Sequence, residues 1–208
     1  MKILVVDDHI ILRKGLINML AKVYRNYKFI EASNGAEAIS MLKKHDDTIL
    51  ILSDLTMPKM NGIEMLKQLK LLKIITPVIM LTMHSEKQYA LRALKAGAFG
   101  FLNKNVAPEE LEVAIEKVLS GKKYITSSLA DILSDNISKS NNNNVLDLLS
   151  DREMQVFELI SKGKTVSEIA NDISLSVSTV STYRVRVLSK LNLKNNAELI
   201  IYAKDNSL

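Results

Sequence analysis

ILILSDLTMPKMNG, residues 49–62, decides the fold. Ile49, Leu50, Ile51 and Leu52 form an unbroken apolar run, the pattern of a strand covered on both faces. Ser53 and Asp54 follow, and Met57-Pro58 turns the chain at once. A carboxylate ending such a strand costs several kcal/mol to bury unless a cation or hydrogen bonds offset its charge. Asp54 therefore demands partners, and the ends of the neighbouring strands offer them.

Working outward, the first 125 residues alternate between strand and helix periods. Apolar runs at Lys2–Val6, Phe29–Ala32, Thr48–Ser53, Val78–Met83 and Phe99–Leu102 read as strands. Helical spacing fills His9–Tyr24, Asn34–Lys44, Ile63–Leu72, Glu86–Ala96 and Pro108–Leu119. In the first of these helices, Ile10, Leu12, Leu16, Ile17, Leu20 and Val23 form the apolar face. Gly97 and Gly121 stop the last two helices. Repeated βα units with apolar strands predict a doubly wound, five-stranded parallel sheet between helices, flavodoxin-like in class. Asp7, Asp8, Asp54, Thr82 and Lys104 then gather at the carboxyl edge, where open α/β sheets keep their ligands.

Three converging carboxylates repel one another. A hard divalent cation with oxygen ligands, Mg²⁺, relieves that repulsion. The competing reading is that Asp7 and Asp8 merely begin the following helix, as His9 does.

Composition narrows the classes. The 208 residues suffice for two small domains, and 47% hydrophobic with 25% charged is ordinary for a globular protein. There is no cysteine, which excludes disulfides, thiol nucleophiles and thiolate zinc sites. The opening MKILVVDDHI turns acidic too soon for a signal peptide, and no apolar run reaches membrane-spanning length, so the cytoplasm is the expected location. The net charge of +5 is no guide to nucleic acid: residues 1–125 hold 19 basic and 13 acidic residues, residues 126–146 hold 1 and 2, and residues 147–208 hold 8 and 8.

The segment 122–147 contains the polar run Ser140–Asn144 and reads as a flexible joint with room for one short helix over Thr126–Asp135. From residue 148 on, the pattern is all helical. Ser150 and Glu153 form a capping box for a helix ending near Ser161, before Gly163. Val166–Ile173, the turn Ser174-Leu175-Ser176, and Val177–Leu191 make a helix-turn-helix, followed by Ala197–Ala203. On the longer helix, Val180, Val187, Leu188 and Leu191 form the apolar face. Ser178, Thr179, Ser181, Thr182, Tyr183, Arg184, Arg186 and Lys190 are polar, and between Ser176 and Lys194 there are four cations and no acid. Such a surface suits DNA, with cations and hydroxyls on phosphates and the helix start toward base edges. Arg184 and Arg186, two positions apart, lie on different faces.

Asp7-Asp8, Asp54 before Met57-Pro58 and Asn61-Gly62, Leu81-Thr82, and Gly97-Ala98 before Lys104 together resemble the response-regulator receiver domain over nearly all of residues 1–120. Leu149–Glu153, Gly163, Glu168-Ile169-Ala170, Ser176, Thr179-Val180 and Lys190-Leu191 resemble the DNA-binding domain of the NarL/LuxR (FixJ) class over residues 148–203. Ser181 and Tyr183 replace the Lys and His common in that class, and the run Thr182–Arg186 is similar to the GacA subgroup.

The resemblance implies a receiver at 1–121, a linker at 122–147 and a LuxR-type reader at 148–208. It implies that Asp54 accepts a phosphoryl group from a sensor histidine kinase, controlling homodimerisation and binding to double-stranded DNA. Mg²⁺ would be held by Asp8, Asp54 and the backbone carbonyl of Thr56, with Asp7 acting through water. Thr82 and Lys104 would take phosphoryl oxygens. Phe101 stands at the aromatic switch position and would swing inward as Thr82 moves, unless it is a static core residue. The only expected catalysis is transfer to Asp54 and slow dephosphorylation, with His84 a candidate beside the attacking water. Two alternatives stay open: a DNA-binding regulator whose receiver is controlled without phosphorylation, and a small metal-dependent phosphatase, against which the helix-turn-helix tail argues.

Overall fold

The computed structural model describes residues 1–83, 86–138 and 145–205. His84 and the polar run Ser140–Asn144 lie outside the described residues. The chain divides into two compact units, Met1–Ser138 and Lys139–Leu208.

In the first unit, strands β1 (Lys2–Val6), β2 (Lys28–Ala32), β3 (Thr48–Asp54), β4 (Val78–Thr82) and β5 (Gly100–Asn103) alternate with helices α1 (Ile10–Val23), α2 (Gly35–Lys44), α3 (Gly62–Leu71), α4 (Glu86–Ala96) and α5 (Pro108–Leu119). All strand pairs are parallel, in the order β2-β1-β3-β4-β5. The order reverses between β1 and β3, which puts the switch point where Asp7, Asp8 and Asp54 end their strands. β3 runs through the middle of the sheet, and six of its seven residues are buried.

Alternation sorts the core into two layers. Ile3, Val5, Leu50, Leu52, Ile79, Leu81 and Leu102 pack with Leu20 of α1 and with Leu111, Ala114, Ile115 and Val118 of α5. The intervening Leu4, Ile51, Met80 and Phe101 are equally buried and face the side of α2, α3 and α4. In α1 the packing rests on Leu16, Ile17, Met19 and Leu20. Ile10 and Leu12, expected on its apolar face, are exposed, as is Val23. The first turn instead carries Arg13, which donates to the backbone carbonyl of Asp7 at the acidic edge.

Local chemistry sets the element ends. Asn61 and Glu64 form a capping box that starts α3, with bonds of 2.8 and 3.0 Å. Pro108 opens α5, beside Glu109 and Glu110. Strand β3 extends through Asp54 itself, and β4 ends at Thr82, so the backbone of both residues is held in the ladder rather than carried on loops.

The expected joint divides. Its first part belongs to the first unit: Tyr124 N donates to Phe99 O at 2.8 Å, Tyr124 bridges Gly100 as a parallel strand residue, and its hydroxyl reaches Glu110 Oε1 at 3.1 Å. The Lys117 ammonium lies 5.6 Å from the Tyr124 ring centroid. Helix α6 (Ser127–Ser138) follows, packed beside α4 with Leu129 buried. It is longer than the segment expected from sequence. The backbone pairing of Tyr124 supplies the anchor that composition does not reveal.

The second unit opens with a 3₁₀ turn at Val145–Leu148, then α7 (Asp151–Ser161), α8 (Val166–Asp172), α9 (Val177–Lys190) and α10 (Asn196–Asp205). Helix α7 packs against α9 and α10, and α8 against α9. Ser150 with Glu153 and Thr165 with Glu168 are complete capping boxes, and Ser176 Oγ accepts from Thr179 N at 3.0 Å to start α9. The α8–α9 turn passes through Ser174 at φ 52, a left-handed residue that reverses the chain within three positions. Among the described residues, no helix is long and apolar enough to cross a membrane.

Candidate functional site

The strand ends bring Asp7, Asp8, Asp54, Thr82 and Lys104 to one edge. Asp7 and Asp54 are buried, Thr82 is wholly so, and Asp8 is half-buried. The Lys104 ammonium stands 2.7 Å from Asp7 Oδ2 and 3.0 Å from Asp54 Oδ2. The backbone supplies the remaining order. Leu55 N donates to Asp54 Oδ1 at 2.7 Å, His9 N to Asp7 Oδ1 at 2.8 Å, and Lys104 N to Thr82 O at 2.8 Å. The Asp54 carboxylate therefore has a fixed rotation, and Lys104 is tied by its own backbone to the strand that ends in Thr82.

Gly62 makes the closeness possible. A Cβ there would overlap the Met80 methyl and stand 2.6 Å from the Asp54 carbonyl oxygen. With no side chain, Gly62 N reaches Leu55 O at 2.9 Å and draws the start of α3 against the Asp54 loop. The Asn-Gly pair is visible in the sequence, but its steric role needs the neighbouring strand to be seen.

Charge is unbalanced at this edge. Three carboxylates face one ammonium. Burial pushes Asp54 above the usual carboxylate range, Lys104 draws it back, and Asp7 pushes it up further. Burial alone would lower Lys104, but the charges of Asp54 and Asp7 outweigh it and hold the ammonium above its ordinary value. Asp8 Oδ1 is buried and has no hydrogen-bond partner among the described residues; His9 Nδ1 lies 3.1 Å away without hydrogen-bond geometry. Ligand atoms of Asp7, Asp8, His9 and Asp54 all lie within 4.8 Å of one another. An orphaned carboxylate oxygen among oxygen donors fits a hard cation such as Mg²⁺. His9 is mostly exposed at the first position before α1, where its side chain makes no capping bond.

Thr56, expected to contribute its carbonyl, is half-buried in the loop after β3. Phe101, expected either as an aromatic switch or as a static core residue, is fully buried on the α4 side of β5. Phenylalanine carries no hydroxyl to draw it toward water.

Helix α9 carries the second candidate surface. Val180, Val187 and Leu188 are buried, and Leu191 closes the same face. Ser178, Thr182, Val185, Arg186 and Ser189 are exposed on the opposite side. Thr179, Ser181, Tyr183 and Arg184 are half-buried on the flanks. Two of the expected DNA-facing cations have partners inside the unit. Arg184 Nε donates to Asn196 Oδ1 at 2.6 Å, tying α9 to the start of α10. Lys190 Nζ lies 2.6 Å from Glu153 Oε2 and 3.0 Å from Leu148 O. Glu153 is buried, so withdrawing Lys190 to meet a phosphate would leave its carboxylate without a countercharge, on the Ser150 cap alone. Lys190 thus locks α9 to α7. Both residues look like phosphate contacts in sequence because their partners lie far along the chain. Val185 was not singled out in sequence because it is apolar, yet it is 59% exposed in the middle of the polar stripe.

Known proteins give the same division. The response regulator receiver domain model matches residues 3–116, and that of the bacterial regulatory proteins of the luxR family matches residues 147–203. The chain is 35% identical over 199 residues to the response regulator UvrY of Escherichia coli K12, covering 95% of this chain and 90% of UvrY. It is 32% identical over 203 residues to the response regulator GacA of Pseudomonas syringae pv. syringae, covering 97% and 94%. Among solved structures, RcsB from Salmonella enterica serovar Typhimurium, bound to promoter rprA in the presence of a beryllofluoride phosphomimetic, matches with a TM-score of 0.63 at 25% identity, covering 98% of each chain. The chain belongs to the LuxR family of two-component response regulators, with a receiver domain followed by a LuxR-type helix-turn-helix domain.

Proposed function

We propose that this chain is a cytoplasmic transcription regulator switched by phosphorylation of Asp54, with a sensor histidine kinase as donor and double-stranded DNA as target. The observation that carries the reading is the buried Asp54 carboxylate, 3.0 Å from the Lys104 ammonium and beside an Asp8 oxygen that no described residue hydrogen-bonds. In the transfer, the P–N bond of a phosphohistidine breaks, and its electron pair leaves with the imidazole. A P–O bond forms to a carboxylate oxygen of Asp54. Charge spreads over the three equatorial oxygens, so positioning and cations do most of the catalysis. The Leu55 amide holds the Asp54 carboxylate in one rotation. Lys104 shifts from pairing carboxylates to pairing a phosphoryl oxygen, and the Thr82 hydroxyl donates to another. Asp8, Asp54 and the Thr56 carbonyl would hold Mg²⁺, with Asp7 acting through water, and the cation would supply the remaining neutralisation. Slow hydrolysis of the aspartyl phosphate is the only other catalysed step.

Because Lys104 and Thr82 share a backbone bond, their movement toward the phosphoryl group reshapes the β4–β5 edge as one piece. That bias favours a two-fold dimer of readers on paired half-sites. Ser178, Thr182 and Arg186 face the DNA, Thr179, Ser181 and Tyr183 flank it, and Arg184 and Lys190 hold α9 in place. The receiver is assigned to residues 1–121 and the reader to residues 148–208.

The test is selection from a random duplex pool with Mg²⁺, with and without beryllofluoride. Enrichment of a two-fold symmetric sequence mainly with the mimic supports the proposal. Equal enrichment in both, with Asp54→Asn behaving as wild type, replaces it with a reader controlled without phosphorylation. No enrichment in either removes the DNA-binding reading.

A further inference from the structure

We propose that Val185 reads a thymine methyl group at one fixed position of each operator half-site. This inference rests on the DNA-binding reading above and adds what the helix selects. The exposed residues of α9 are Val177 at its start, Ser178, Thr182, Val185, Arg186, Ser189 and Lys190 at its end. Arg186 and Lys190 are the long side chains, and Lys190 is paired with Glu153. The hydroxyls at the helix start are turned inward on one another: Ser176 Oγ meets Ser178 Oγ at 2.8 Å and Thr179 Oγ1 at 2.7 Å, and Thr182 Oγ1 donates to Ser178 O at 2.9 Å. Arg184 and Lys190 hold Asn196 and Glu153. Arg184 stands on the flank and Arg186 at the border, so no forked donor for guanine and no amide for adenine stands at the centre of the face.

What the centre offers instead is a 59% exposed isopropyl group among short neighbours, with Ser178 and Ser181 before it and Ser189 after it. Short side chains let a helix approach the groove floor closely. On that floor the only apolar group that distinguishes one base pair from another is the C5-methyl of thymine. A β-branched residue in a helix is already restricted to few rotamers, so contact costs it little conformational freedom. The selectivity of this surface is thus centred on apolar contact, with Arg186 at its border for a phosphate or a guanine.

The full chain is tested on the sequence recovered by the selection above, with Mg²⁺ and beryllofluoride. Each thymine of a half-site is replaced in turn by deoxyuridine, which removes only the methyl group. Affinity is measured for wild type and Val185→Ala, with Val185→Ser as a second variant. Alanine at an exposed helical position favours the helix, and circular dichroism checks the fold of both variants. One deoxyuridine per half-site is expected to weaken wild type by about fourfold, the value of one buried methyl-sized group, and to leave both variants nearly unchanged. Every other thymine should count equally in all three proteins. The proposal is overturned if no thymine distinguishes wild type from the variants, or if the recovered sequence has no fixed thymine. If the pool yields no preferred sequence, the DNA-binding reading fails and takes this inference with it.

Discussion

The acidic edge of the receiver and the exposed face of α9 are both polar surfaces, but they are made differently. At the edge, each side chain leaves the end of a strand whose position the ladder dictates, and the cations are few and buried. On α9, the side chains stand on one helix in solvent, and their availability depends on partners elsewhere in the unit. Lys104 and Lys190 show the contrast. Both pair with buried carboxylates, at 2.7 and 2.6 Å respectively. Lys104 serves two crowded acids that a cation or a phosphoryl group can rearrange. Lys190 serves one glutamate, which among the described residues draws its countercharge from Lys190, and so it is tied in place. A preformed pocket holds its charges in excess, whereas a scaffold holds them in balance.

The largest test of that contrast is Asp54→Asn. Incubation with acetyl phosphate and Mg²⁺ should add one phosphoryl group to wild type by intact mass and none to the variant. Because burial and Asp7 push Asp54 upward, its ionised form weakens the fold. Removing the charge should raise the melting midpoint of the metal-free protein by a few degrees, the opposite of what loss of a structural ion pair does.

Next comes the steric support of the same pocket. Gly62→Ala should destabilise the first unit by about 1–3 kcal/mol in urea unfolding, because the new methyl group meets Met80 and the Asp54 carbonyl. Gly15→Ala should instead stabilise it by about 0.5–1 kcal/mol, since Gly15 lies in α1 with nothing within 4 Å of an added Cβ. If both substitutions destabilise, the close approach at Gly62 is not what limits the residue there.

On the reader, the two cations of α9 should separate. Arg186→Ala should weaken DNA binding across sequences and lower the salt slope by about one. Lys190→Ala should cost about 1–3 kcal/mol of stability, the penalty of leaving a buried charged group unpaired, while leaving the salt slope unchanged. A reduced slope for Lys190→Ala would return it to the DNA-facing set.

These residues also mark how far sequence alone reaches. The strands, the βα order and the convergence of Asp7, Asp8, Asp54, Thr82 and Lys104 follow from periodicity and from where polar residues interrupt apolar runs, because a parallel sheet converts strand ends into one edge. The docking of Tyr124 beside Phe99 was not legible: a single backbone pairing leaves no pattern in composition. Helical spacing puts Ile10, Leu12 and Val23 on the apolar stripe of α1 but does not say where its cover ends, and all three are exposed. The buried state of Phe101 follows from packing on the α4 side, which the motif position does not specify. Lys190 and Arg184 read as free cations because Glu153 and Asn196 are set by tertiary contact.

The smallest expected effect concerns Glu153. Burial alone would raise its pKa, but the bonds from Lys190 and from Ser150 outweigh burial and hold it below the usual carboxylate range. A depressed folded value means that the unfolded state binds the proton more readily. The contribution is therefore complete above the ordinary glutamate value of about 4.3 and fades as pH falls through the lower folded value. Glu153→Gln should flatten the acid limb of the stability profile in that window. The profile above it should shift downward but keep its shape, because glutamine keeps the size of the side chain and loses the charge. Urea unfolding of wild type and variant between pH 3 and pH 6, a range chosen to span the ordinary carboxylate value, checks this. Parallel acid limbs would mean that Lys190 is held by the Leu148 carbonyl and that the glutamate serves only as the helix cap.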